Sequence, residues 1–253
     1  MGSRCDITAD GPPRVVRYPP YAMPALGRVG QLGVFSPAPD GFDGLEESFD
    51  LFHSEGVALI IQLGDAPLSR GTARSTDVDH VRRLLRRRQQ ALLVCTDDLG
   101  RAAALHRGGV GGGGARTVRP NIVHLDSGFR TRLSNDDLFT VVCPSPTPSK
   151  HDGAELARGG RAGLSGRVGL AVCATEIDVA VMVREFAPKL LISAGNGYFR
   201  DESSSQDVPG GESTSSRAVV FGDRGEQWVN HAIVHLNDGT IRLLPQREDE
   251  GEA

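Results

Sequence analysis

Gly56-Val-Ala-Leu-Ile-Ile-Gln-Leu-Gly-Asp65 is an apolar run that ends in a glycine and a carboxylate. Its length and composition predict a buried strand whose C-terminal end delivers Asp65. Working backward, Leu45, Phe49 and Phe52 recur at helical spacing over Gly44 to Ser54, with Asp43 as a candidate cap and Gly56 as the stop. Before that helix, Val29 to Phe35 is a second apolar run, cut off by Ser-Pro-Ala-Pro. Working forward, Asp77 to Gln90 puts Val78, Val81, Leu84 and Leu85 on one helical face and arginines on the other. Ala91 to Cys95 is then the next strand, followed by Thr96-Asp97-Asp98 and a short helix through Leu105. Strand and helix alternate, which predicts an α/β fold.

The second half of the chain reads as richer in strands. Asn121 to Leu125, Leu138 to Cys143, Leu170 to Cys173 and Lys189 to Ser193 are apolar enough for buried strands, and Ile177 to Phe186 is a helix. Asp201 to Arg217, dense in Ser, Gly and Glu, reads as a mobile loop. Ala218 to Phe221 and Trp228 to Leu236 are strands, and an Asn-Asp-Gly turn leads from the latter into Thr240 to Leu244 as its hairpin partner. The prolines of residues 1 to 27 make that segment an extended arm, and the acidic residues 246 to 253 are a frayed tail. One domain over residues 28 to 245 is the economical organisation.

Composition narrows the function classes. With 253 residues, 39% hydrophobic and 24% charged, the chain can bury a sizeable core, and a net charge of -4 gives no general attraction to nucleic acid or an anionic membrane. The arginine cluster of the 77 to 90 helix is read as a solvated face. Only Lys150 and Lys189 accompany the arginines among 28 basic residues, a bias that suits a high-GC bacterial or phage genome. No stretch is apolar enough to span a bilayer and the N-terminus lacks a signal-peptide pattern, so a cytoplasmic protein is expected. Cys5, Cys95, Cys143 and Cys173 show no zinc-ribbon spacing. The glycines of 108 to 114 lack the spacing and the strand-to-helix setting of a phosphate-binding loop. His231 and His235 share one face of a strand about 13 Å apart, too far to chelate one ion.

The order of these segments resembles the calcineurin-like metallophosphoesterases, and among them the small bacterial and phage members. The resemblance covers residues 28 to 245 and is carried best by Gly56 to Asp65. It implies a four-layer α/β/β/α sandwich with a two-metal site at the C-terminal ends of the strands, where paired cations activate water for attack on a phosphate ester. The family's ligand turns are Asp-x-His, Gly-Asp, Asn-His-Asp, a lone His, and Gly-His-x-His. Here they fall on Ser36-Pro37-Ala38, Gly64-Asp65, Thr96-Asp97-Asp98, Thr175, and Gly195-Asn196-Gly197-Tyr198. Ser36, Ala38, Thr96, Asp97, Thr175, Asn196 and Tyr198 thus replace the expected carboxylates, amide and imidazoles, while Asp65 and Asp98 keep theirs. One retained first ligand, Asp65, holds no divalent ion tightly.

The resulting expectation is a catalytically inactive metallophosphoesterase-like protein without a cofactor, acting by binding a protein partner or itself as scaffold, regulator or assembly subunit. Two alternatives stand beside it. In one, Asp65, Asp97 and Asp98 rebuild a site for weakly held Mg, Mn or Ca, making the chain a metal-dependent phosphoric ester hydrolase. In the other, the old cleft holds a nucleotide or other anion near Arg70, Arg101 and the Gly195-Asn196-Gly197 turn. Asp97 and Asp98 also read as the acidic start of the following helix, and Asp65 as a turn-satisfying carboxylate. A thiolate cluster of Cys95, Cys143 and Cys173 at converging strand ends is conceivable, and Ser36 lacks the elbow and the histidine of a nucleophile.

Overall fold

The computed structural model describes residues 17–18, 21–22, 29–36, 42–64, 75–95, 115–125, 129–133, 137–142, 168–174, 182–183, 187–195, 199–207, 213–222 and 230–244. A two-stranded ladder joins β1 (Arg17–Tyr18) to β2 (Tyr21–Ala22). Then come β3 (Gln31–Phe35), α1 (Phe42–Ser54), β4 (Leu59–Leu63), α2 (Ser75–Arg87), β5 (Ala91–Cys95), β6 (Ala115–Arg119) and β7 (Ile122–Leu125). The remainder is β8 (Arg130–Arg132), β9 (Leu138–Val142), β10 (Val168–Cys173), β11 (Leu190–Ala194), β12 (Arg200–Asp207), β13 (Ser213–Phe221), β14 (His231–His235) and β15 (Thr240–Leu244).

Two mixed sheets result. The first has seven strands in the order β15-β14-β3-β4-β5-β7-β6, and the second has six in the order β12-β13-β11-β10-β9-β8. In the first, β3, β4, β5 and β7 run parallel; in the second, β9, β10, β11 and β13 do. The alternation of side chains along each strand sorts the residues into layers. Leu32, Val34, Leu59, Ile61, Leu63, Leu93 and Cys95 of the first sheet pack with Val141, Leu170, Val172, Ile192 and Phe221 of the second in one inter-sheet core. The opposite face of the first sheet, with Phe35, Ile60, Leu92, Val94 and Ile233, packs under Leu45, Phe49 and Phe52 of α1 and Val78, Val81 and Leu85 of α2. On the outer face of the second sheet Val168, Ala171, Leu191 and Ala218 lie against Met182, which with Val183 forms a helical turn. The chain is an α/β/β/α sandwich, the architecture that the resemblance implies.

One cavity shows how the sheets are oriented. Gly169 and Lys189, at the starts of β10 and β11, meet Leu236 and Gly239, just beyond the end of β14. Because β14 is antiparallel to β3, that is also where β3 begins. The parallel strands of both sheets therefore start at one pole and deliver their C-termini to the other.

Several boundaries depart from the sequence reading. α1 starts at Phe42, so Asp43 lies within its first turn rather than capping it. It ends as expected: Gly56 has φ +73°, a conformation glycine adopts without strain, and the N–H groups of Gly56 and Val57 close on the carbonyls of His53 and Phe52. The largest correction concerns residues 201 to 217, whose composition predicts a loop. There β12 and β13 form an antiparallel ladder running from Arg200↔Val220 to Asp207↔Ser213. Serine-rich strands carry no apolar alternation, and what makes β13 a strand is its parallel pairing with β11 from Leu190↔Arg217 onward. The helix expected up to Leu105 and most of that at 177 to 186 lie outside the described residues.

Candidate functional site at the strand C-termini

At the pole where the parallel strands end, backbone hydrogen bonds carry each ladder one residue past its strand. The Ser36 N–H donates to the Asn230 carbonyl at 3.0 Å, Gly64 N–H to the Cys95 carbonyl at 3.0 Å, and Gly195 N–H to the Phe221 carbonyl at 2.8 Å. Gly64 has φ +79°, a conformation that glycine adopts without strain. These bonds extend the ordered ends of β3, β4 and β11 to Ser36, Gly64 and Gly195. Open α/β sheets place ligands beyond such carboxyl ends.

The described floor of this pole is uncharged. By alternation with Leu32 and Val34, Ser36 lies on the inter-sheet side of β3, and Asn230 lies there with Ala232 and Val234. Beside them the floor consists of Leu63, Cys95, Ala174, Ala194 and Phe221. Ser36 is 8% exposed and Asn230 1%. The Asn230 Oδ1 is buried without a hydrogen-bond partner. An unpaired buried carbonyl costs about 1–3 kcal/mol, which native proteins tolerate mostly where a function or a bound group compensates.

Of the residues singled out from the sequence, Ser36 is the one described. Ala38, Asp65, Thr96, Asp97, Asp98, Thr175, Asn196 and Tyr198 lie outside the described residues, as do Arg70 and Arg101. Their anchors, Ser36, Gly64, Cys95, Ala174 and Gly195, all stand at strand C-termini. No group of three or more His, Cys, Asp or Glu able to hold a metal ion occurs among the described residues. Cys95 and Cys173 do not converge: Cys95 faces the inter-sheet core, whereas Cys173 follows Val172 onto the opposite side of its strand.

The histidine pair of β14 is structural. The Ser48 hydroxyl donates to the Gly44 carbonyl at 2.7 Å, so the His231 Nε2 at 2.8 Å must be the protonated nitrogen that donates to Ser48. Nδ1 is then bare and buried with no partner, and the ring stacks at 6° on Phe35. Burial pushes this imidazole from 6.5 down to about 4. His235 meets Gln31 at 3.5 Å.

Sequence reading missed Asn230, Gln62 and Ser193. Gln62 and Ser193 are fully buried with unpartnered polar atoms, and they hold the same place in Leu-Ile-Ile-Gln-Leu-Gly and Leu-Leu-Ile-Ser-Ala-Gly, the central parallel strands of the two sheets. A polar residue two places before a strand-ending glycine is the signal that would have found Gln62 and Ser193.

No protein-family model matches the chain, and no curated protein matches it. Solved structures do. A chain known from a crystal structure superposes with a TM-score of 0.55 at 11% identity, over 85% of this chain and 98% of its own. TT1561 of Thermus thermophilus gives 0.49 at 16% identity over 86% and 99%, and a novel archaeal phosphodiesterase 0.44 at 9% over 85% and 99%. The first likeness shows a shared fold across nearly the whole chain; the other two are too distant to extend it.

Proposed function

We propose that this protein is a metallophosphoesterase-like chain that acts by binding and does not hydrolyse phosphate esters. The observation that carries the reading is Ser36. At the end of the first parallel strand, on the side facing the second sheet, a two-metal hydrolase needs a carboxylate to hold its cations, and a neutral hydroxyl does not offset their charge. Among the described residues the floor around it, from Leu63 and Cys95 to Ala174 and Ala194, is uncharged, which supports the same reading.

Under this proposal the scaffold keeps its strand ends as a platform while the chemistry is gone. The purified protein is expected to turn over neither p-nitrophenyl phosphate nor bis-p-nitrophenyl phosphate with Mn, Ni or Mg. Metal-dependent turnover that disappears in Asp65→Ala would overturn the reading in favour of a site rebuilt on Asp65, Asp97 and Asp98.

A further inference from the structure

No further inference is drawn: the strongest candidate, the cavity where the two sheets begin, bordered by Leu133, Gly169, Leu236 and the ion pair of Lys189 with Asp137, carries nothing, because its volume of about 10 Å³ admits a single water molecule and its two charged groups already meet each other at 2.6 Å.

Discussion

β12 and β15 each end a sheet, and the ground behind them is of different kinds. β15 is paired to β14, which lies over a dense layer: the rings of Phe35, Phe52 and His231 pack on one another, and Ser48 of α1 takes a hydrogen bond from His231. β12 has its ladder to β13 and, across it, a two-bond ion pair from Arg217 to Asp201 at 2.9 and 2.7 Å. The lesson is that an edge backed by a packed helix layer can alternate half-buried apolar side chains, Ile241 and Leu243, with exposed Thr240 and Arg242. An edge held mainly by backbone pairing is kept polar, which discourages association in place of rigidity.

The comparison can be broken most forcefully at Phe52. Its ring is fully buried between α1 and the β3–β14 pair. Truncation in Phe52→Ala leaves a cavity that the β-sheet cannot fill, and urea unfolding is expected to show a loss of about 3–5 kcal/mol. A loss below about 1 kcal/mol would mean that this layer does not hold the β14–β15 side.

Acid tests the same layer through one atom. His231 is neutral when folded, and its bare Nδ1 has no acceptor for a new N–H. Its folded pKa, about 4, lies below the unfolded value of 6.5, so the unfolded chain takes up a proton first. The stabilisation is complete above 6.5 and is lost as pH falls through that window towards 4. Over the whole window the loss is roughly 3 kcal/mol, read from denaturant midpoints at successive pH values. His231→Phe is expected to flatten this slope, and an unaltered slope would assign it to other groups.

The smallest effect is expected on the β12 side. The hydrogen bond from Arg217 holds Asp201 below the usual carboxylate range, but both side chains are well exposed, at 41% for Arg217 and 30% for Asp201. Solvent screens such a pair, so Asp201→Asn is expected to change stability by no more than about 0.5 kcal/mol. A change of several kcal/mol there would show that the two edges are held alike.

Much of the first sheet is legible in the chain itself. Ala-Leu-Leu-Val-Cys forms β5 at the residues expected, and Phe49 and Phe52 face the core as their spacing requires. Thr240 to Leu244 turns back on β14 after the Asn-Asp-Gly turn, with Gly239 at φ +72°. β12 and the first half of β13 were not legible, because Ser203, Ser205 and Ser215 have no apolar period and gain their strand conformation from the ladder. At the site, Ser36 could be picked out by its place after an apolar run. Asn230 could not, because only the β3–β14 register sets it across from Ser36.

Local chemistry, then, was sufficient for the alternation of strands and helices in the first sheet and for the glycine that stops α1. These are properties of neighbours in the chain, where periodicity and turn preference act over a few residues. Which strands end beside which, and which face each polar residue takes, were settled only by the stacking of the two sheets. Such contacts join residues far apart in sequence, as Ser48 and His231 do, and no local pattern encodes them.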